Sequence, residues 1–192
     1  MAKIDIFSTP IYKFRVIQNT IDEAIVESKQ LERLERYKEW KCEVDTTFHL
    51  EPDVGKLNDC LEECLFPFVF DYLSCLIHNQ TLTMQINGFW INRYKEGSFQ
   101  ERHSHAGNSN VVSFIYMYKT SENHSALRFH SPFDITLENV RGYSSLEFSH
   151  ERHDFLLKER EVLLFPSYLH HSVHPVDPQG ERITLSGNIN IT

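Results

Sequence analysis

Residues 163–175 read LLFPSYLHHSVHP, an apolar strand-like run that enters a turn and then meets His170 and His171. Arg182 comes eleven residues after His171, at the start of another strand-like stretch. A second polar cluster, RHSH at residues 102–105, ends an earlier strand-like run. A His-x-His pair, a later histidine and an arginine, in this order, predict a site in which histidines bind a metal and the arginine binds a carboxylate.

The His-x-His pair has the spacing of two ligands on one strand. Alternate residues of a strand point the same way, so His103 and His105 are expected to project together. Imidazole nitrogens suit iron(II), zinc or copper, and a third ligand must come from another strand. His171 is the best candidate for that ligand. Residues 150–154, HERHD, are a weaker metal candidate in what reads as a polar loop.

The strand that begins at Arg182 has one polar and one apolar face. A polar inner face is unusual in a simple β-sandwich, but it is expected where a strand lines a polar site. The guanidinium can hold a carboxylate through two parallel hydrogen bonds, and Thr184 could add a hydroxyl donor. The alternation places Arg182, Thr184, Ser186 and Asn188 on one face and Ile183, Leu185 and Ile189 on the other.

The composition favours a folded protein of one domain, residues 1–192. The chain has 41% hydrophobic and 12% aromatic residues, enough for a substantial core. Its formal net charge of −8 disfavours a nucleic-acid partner. No apolar run approaches a membrane span, and the first residues do not resemble a signal peptide, so we expect a cytoplasmic protein without a membrane partner. The cysteines, predicted to be reduced and buried, are Cys42, Cys60, Cys64 and Cys75.

The hydrophobic pattern changes near residue 79. Before it, helical periodicity predicts helices at about 21–37 and 54–78, the second kinked or split at Pro67. After it, short apolar or alternating runs indicate an antiparallel β domain whose outer face the two helices cover. We therefore divide the domain into a helical support region, 1–78, and a β core, 79–192. The expected core strands are residues 81–94, 111–118, 126–129, 145–148, 161–165 and 182–191.

The ordered set of motifs resembles the iron(II)/2-oxoglutarate-dependent oxygenase superfamily. It is most similar to a small bacterial and phage group with a His-x-His motif. The resemblance implies a mainly β (α+β) protein, a double-stranded β-helix (jelly roll) with two N-terminal supporting helices. It also implies Fe(II) and 2-oxoglutarate as cofactors. The stretches that carry it are residues 6–12 (IFSTPIY), 90–97 (WINRYKEG), 101–105 (ERHSH), 163–175 and 181–188 (ERITLSGN).

The resemblance also assigns roles to residues. It implies His103 and His171 as iron ligands and Arg182 as the partner of the far carboxylate of 2-oxoglutarate. Either Tyr94 or Tyr116 would supply a phenolic hydrogen bond to the cosubstrate.

One position departs from the superfamily pattern, which has His-x-Asp or His-x-Glu where this chain has His105. Three explanations remain open at this stage. His105 binds the metal as a third imidazole, which is the explanation we favour. It lies outside the ligand set, with the carboxylate drawn from elsewhere or absent. The site has lost catalysis.

The leading functional hypothesis is an Fe(II)- and 2-oxoglutarate-dependent hydroxylase acting on an unknown small-molecule or peptidyl substrate. A second hypothesis is a three-histidine dioxygenase that does not use 2-oxoglutarate and whose Arg182 holds the substrate carboxylate. A third is a non-enzymatic, metal-stabilised jelly-roll module that binds a protein or sugar. The loop 131–149 is expected to flank the mouth of the site. A homodimer is expected by analogy with other jelly rolls.

Overall fold

A computed structural model describes most of the chain. The described residues are 9–50, 55–74, 82–107, 109–122, 124–131, 152–178 and 180–192. The predictions that fall outside them are the start of the stretch 6–12, Cys75, the strand 145–148, most of the loop 131–149, and residues 150 and 151 of the weaker metal candidate.

Two helices precede most of the strands. They are α1 (Thr20–Glu27) and α2 (Lys56–Ser74), and a 3₁₀-helix spans Gln30–Arg33. None of the described helices is long and apolar enough to cross a bilayer. The strands are β1 (Tyr12–Arg15), β2 (Glu35–Arg36), β3 (Asp45–Thr46), β4 (Met84–Tyr94), β5 (Gln100–His103), β6 (Asn110–Thr120), β7 (Leu127–His130), β8 (Arg152–Phe155), β9 (Glu161–Pro166), β10 (His171–Val173) and β11 (Arg182–Ile191).

The strands form two antiparallel sheets. The larger has the order β1-β9-β6-β11-β4-β3-β2, and the smaller has the order β5-β10-β7-β8. The long strand β11 lies between β4 and β6 at the centre of the larger sheet. In the smaller sheet His171 of β10 is paired across the ladder with His103 of β5. This arrangement agrees with the predicted double-stranded β-helix.

Alternation along the central strands divides the core into two layers. One layer lies between the sheets and contains Ile115, Met117, Phe129, Leu163, Phe165 and Val173. The other lies between the helices and the outer face of the larger sheet, and contains Ile21, Ile25, Leu61, Leu65, Ile183, Leu185 and Ile189. The prediction that the helices cover one sheet is therefore confirmed.

The first helix is shorter than its periodicity predicts. It ends at Glu27, and Lys29 then takes a left-handed conformation with φ 55°. The hydroxyl of Ser28 donates to the carbonyl of Ile25, as side chains do when they compete with helical hydrogen bonds. Beyond the 3₁₀-helix, strand β2 pairs with β3. Sheet pairing therefore outweighs helix propensity in the second half of the predicted helix.

Several short strands were not predicted from the sequence. Residues 41–53 read as a polar stretch, yet Cys42, Val44 and Thr46 are buried and β3 lies among them. Residues 152–155 read as part of a polar loop, but they form β8, in which Asp154 accepts two hydrogen bonds from Arg128 at 2.7 Å each. Strands β2, β3 and β8 are short and largely polar, so they lack the apolar pattern that marked the four-residue strand β7 in the sequence.

Glycine is needed where β11 passes closest to its neighbours. A Cβ atom on Gly187 would lie 2.6 Å from the Phe114 ring and 2.8 Å from the Gly88 carbonyl oxygen. Opposite it, β4 carries an extra residue near Gly88, whose φ is +106°. This bulge lets the polar and apolar faces of β11 keep their alternation across the register shift.

Candidate metal centre

Three histidines come together where the smaller sheet meets the larger one. His103 ends β5, and His171 begins β10 directly opposite it. His105 lies two residues beyond the end of β5, so strand alternation alone does not place it. Its backbone N–H donates instead to the Ser167 carbonyl at 2.9 Å, which turns the chain towards the larger sheet. The three predicted ligands are therefore adjacent.

The distances within this histidine cluster suit a metal ion. One ring nitrogen of each histidine lies within 4.8 Å of a ring nitrogen of the other two. The ring centroids are 4.2 Å apart for His103 and His171, 5.0 Å for His105 and His171, and 5.3 Å for His103 and His105. Among the described residues, this is the one group of three or more His, Cys, Asp or Glu side chains whose ligand atoms lie close enough together to bind one metal ion.

Hydrogen bonds give all three rings the same tautomer. His103 Nδ1 lies 2.8 Å from the Glu101 carbonyl oxygen, and His171 Nδ1 lies 3.0 Å from that of Leu169. His105 Nδ1 lies 2.9 Å from the Asn188 side-chain oxygen. Each of these oxygens can only accept, so each Nδ1 carries the proton and donates. Each Nε2 therefore keeps a free lone pair, the form in which histidine binds a metal.

Burial keeps the cluster neutral. It lowers the pKa of His103, and it lowers that of His171 well below the ordinary value, with repulsion from the other histidines adding to the effect. Burial, followed by repulsion from His103, lowers the pKa of His105 to about 4. Desolvation disfavours the charged imidazolium, so all three rings are neutral at neutral pH, each with its single proton on Nδ1. Neutral imidazoles are the ligands that a divalent transition metal requires.

His105 is oriented by a polar group that the sequence did not assign to it. The Asn188 side-chain oxygen accepts from His105 and also lies 2.8 Å from the Ser113 hydroxyl. That hydroxyl lies 2.9 Å from Ser167. A serine at an inward position of the apolar strand β6 was the available signal, because a buried hydroxyl needs a polar partner. The partner itself depends on a contact between distant parts of the chain.

The Asn188 contact predicts a measurable effect on metal binding. Asn188→Ala removes the acceptor that holds the His105 tautomer, so metal affinity should fall by about tenfold or more. Titration of the apoprotein with Co(II), followed by its visible absorption, measures this affinity. Asn190→Ala is the matched control, because the Asn190 side-chain oxygen is buried on the same strand and has no hydrogen-bond partner among the described residues. Equal affinities for the two variants would contradict the role given to Asn188.

Arg182 is a buried cation without a counter-charge among the described residues. It is 1% exposed, and its Nη1 donates to the Ser125 carbonyl at 3.2 Å. Its Nε has no hydrogen-bond partner in the part of the chain that the structure describes, and its guanidinium carbon lies 5.4 Å from the centre of the Tyr94 ring. Burial lowers its pKa from the ordinary value. A buried, unpaired guanidinium is costly, so this arrangement favours a carboxylate ligand.

Arg182 and the histidine cluster line the same cavity, which we call the inner cavity. Thr184 and Ser186 extend the polar lining, as the alternation along β11 predicts. Its free volume is only about 10 Å³, so a dicarboxylate enters only if lining side chains move apart. The polar groups themselves fit both cofactors: three neutral imidazoles suit Fe(II), and an unpaired guanidinium suits the carboxylate of a 2-oxo acid.

The structure separates the two candidate tyrosines. Tyr94 lines the inner cavity, and its hydroxyl donates to the Gln100 side chain at 2.6 Å. Tyr116 belongs to the layer beneath the helices, and its hydroxyl donates to Asp22 of α1 at 2.5 Å. Adjacent residues of β6 face opposite sides of the sheet, so Ile115 rather than Tyr116 lines the cavity. Tyr116 is therefore not brought to the site.

The remaining histidine and cysteine candidates lie outside the cluster. His170 is exposed, and His174 lies 3.9 Å from Asp154. Cys42 is buried, whereas Cys60 and Cys64 are half-buried, and all three are free thiols. The prediction of reduced cysteines agrees with these three residues, although only Cys42 is fully buried.

Comparison with known proteins supports the geometry. The profile of a family described as "Putative 2OG-Fe(II) oxygenase" matches residues 88–188. No curated protein matches the sequence. Many solved structures share the fold. A 2OG-Fe(II) oxygenase family protein from Burkholderia pseudomallei has 14% identity and a TM-score of 0.60, covering 87% of this chain and 76% of its own.

Two further structures are similar at nearly full length. A prolyl-4-hydroxylase from Pseudomonas putida has 13% identity and a TM-score of 0.60, covering 95% of this chain and 93% of its own. HygX from Streptomyces hygroscopicus, solved with nickel, 2-oxoglutarate and hygromycin B bound, has 13% identity and a TM-score of 0.60, covering 95% and 83%. At such identities these likenesses concern the fold. The family profile, in contrast, spans more than half of the sequence, and the chain belongs to the 2OG-Fe(II) oxygenase family, whose cofactors are Fe(II) and 2-oxoglutarate.

Proposed function

We propose that His103, His105 and His171 bind Fe(II) through their Nε2 atoms, and that Arg182 binds the far carboxylate of 2-oxoglutarate. Thr184 would add a hydroxyl to the same carboxylate, and Tyr94 would orient the cosubstrate from the cavity wall. The enzyme would hydroxylate a C–H bond of a small-molecule or peptidyl substrate. These assignments rest on the cluster of ring nitrogens and on the lining of the inner cavity.

The observation that carries the proposal is Arg182, which lies in the same cavity as the histidines and has no counter-charge among the described residues. A metal-stabilised binding module has no use for a buried cation beside its metal, because the unpaired charge only destabilises the fold. A 2-oxo dicarboxylate uses both features: one end chelates the metal, and the other pairs with the guanidinium. Membership of the 2OG-Fe(II) oxygenase family likewise favours this function over the two alternatives without 2-oxoglutarate.

Bound Fe(II) and 2-oxoglutarate supply the oxidising chemistry, in which substrate R–H, O₂ and 2-oxoglutarate become R–OH, succinate and CO₂. The residues of the chain provide binding and orientation. Arg182 fixes the far end of the cosubstrate, which leaves its oxo-acid end facing the histidine cluster. The apolar side chains of Ile115, Leu127 and Val173 also line the inner cavity, where they exclude water from the bound cosubstrate.

The proposal is tested by anaerobic titration of the apoprotein with Fe(II) and then with 2-oxoglutarate. A chelated 2-oxo acid gives a weak visible charge-transfer band, and exposure to O₂ should then yield succinate. The expected result is a band that saturates at one equivalent of iron, followed by succinate formation. Iron binding without a band, together with oxygen consumption that ignores 2-oxoglutarate, would favour the three-histidine dioxygenase instead.

We also propose that the chain works as one oxygenase domain in the cytoplasm. The contacts of α1 and α2 with the larger sheet support the role of residues 1–78 as a helical support region. The free thiols Cys42, Cys60 and Cys64 support a reducing compartment. Among the described lining residues of the site only Arg182 and Lys41 are basic, which supports a substrate other than nucleic acid.

A further inference from the structure

A second cavity opens beside the histidine cluster, and we call it the outer groove. Its volume is about 380 Å³, which suits a small molecule or one side chain of a peptide. It shares Trp90, Gln100, His103 and His105 with the inner cavity. A molecule in the outer groove therefore lies next to the metal position, while the cosubstrate takes the side towards Arg182.

Aromatic rings form one wall of the outer groove. The Trp40 and Phe48 centroids are 5.2 Å apart, those of Phe48 and Trp90 are also 5.2 Å apart, and those of Trp90 and His105 are 5.3 Å apart. Within this aromatic wall, Phe48 is 47% exposed, whereas Trp90 is 8% exposed. The rings thus lead from the surface to a proposed ligand of the metal. Such a wall attracts apolar chains and cations.

The charged residues of the groove favour one sign of ligand. Among the described residues, Glu39 and Glu101 line it together with a single cation, Lys41. The Glu101 carboxylate accepts hydrogen bonds from the Cys42 thiol and from the backbone, and Glu39 accepts one from the Tyr37 hydroxyl at 2.6 Å. Both glutamates are exposed, and each carboxylate has further lone pairs to accept from a ligand. The groove complements a cation better than an anion.

We infer that, within the proposed function, the outer groove takes the part of the substrate that carries a cationic group on an apolar arm, of the size of a lysine side chain. The arm would lie along Trp40, Phe48 and Trp90, and the cation would face Glu39 and Glu101. A C–H bond of the substrate would then lie beside the metal. A free amine and a lysyl side chain of a peptide share this chemistry.

Tryptophan fluorescence tests the inference without turnover, because both tryptophans of the chain line the groove. The anaerobic protein with Fe(II) and 2-oxoglutarate is titrated with N-acetyl-lysine methylamide and with its norleucine and glutamate counterparts. The lysine probe should bind about tenfold more tightly than the norleucine probe. Pentylamine distinguishes the two sources: it should bind as tightly as the lysine probe if the substrate is a free amine, and more weakly if it is peptidyl.

Variants of the groove residues test which side chains cause the preference for the lysine probe over the norleucine probe. Glu39→Gln combined with Glu101→Gln should bring the lysine and norleucine affinities to within about twofold of each other. Phe48→Ala should weaken both probes, since it removes part of the shared wall. Glu32→Gln is the matched control, an exposed glutamate of the 3₁₀-helix outside the groove, and it should preserve the tenfold preference.

The inference is overturned if the norleucine or the glutamate probe binds as tightly as the lysine probe, or if none of the three binds. The charge-transfer band is recorded on the same samples. A band without a preference for the cation rejects the groove assignment and leaves the proposed oxygenase function standing. A preference without a band supports the cation site and rejects the proposed function.

Discussion

Arg182→Met is expected to weaken 2-oxoglutarate binding by about 100-fold, because the far carboxylate loses its buried charge partner. The same substitution should leave the metal-free protein as stable as the wild type or more stable, by about 1–3 kcal/mol, since it removes an unpaired buried charge and keeps an apolar chain of similar length. Anaerobic titration of the charge-transfer band measures the first effect, and urea denaturation of the apoprotein measures the second.

The opposite signs of these two effects distinguish a ligand-binding role from a structural one. If Arg182 mainly supported the fold through Ser125 and Tyr94, its replacement would lower the free energy of unfolding. A fall of more than about 2 kcal/mol, without a selective loss of 2-oxoglutarate affinity, would reject the proposed role. The matched control is Arg128→Met. Arg128 forms a half-exposed ion pair with Asp154, and its loss should leave cosubstrate affinity unchanged.

His171→Ala is expected to lower Fe(II) affinity by more than about 100-fold and to reduce succinate formation to background. His171 is 3% exposed and pairs with His103 across the ladder, and among the described residues the converging ligand group consists of His103, His105 and His171. Equilibrium dialysis against Fe(II) under anaerobic conditions measures the affinity. Unchanged iron binding in this variant would place the metal elsewhere.

The control for this experiment is the preceding residue. His170→Ala removes an exposed imidazole next to His171 and outside the cluster, so iron affinity and succinate formation should stay close to wild type. A third variant, His105→Asp, tests the departure from the superfamily pattern. It should retain iron binding, because a carboxylate at this position restores the usual ligand set. His105→Ala should instead lose it.

The local patterns of the sequence predicted the long strands and most residues of the candidate site. The two-residue period of β11 assigned Arg182 and Thr184 to the site and Ile183 to the helices, and the structure has the same division. The long strands β4, β6 and β11 were recognised because each carries several periods of alternation. His103, His105 and His171 were recognised instead from the His-x-His spacing and from the order of the motifs along the chain.

The tertiary structure decided what depends on contacts between distant residues. The first helix is shorter than predicted because β2 pairs with β3. Tyr116 does not line the site because its face of β6 packs against α1. The Nδ1 proton of His105 is held by Asn188, a residue 83 positions away, and no local period encodes such a pair. The alternation of side chains along a strand follows from the local geometry of an extended backbone, so it can be predicted from the sequence. Hydrogen-bond partners across strands exist only once the sheets have closed.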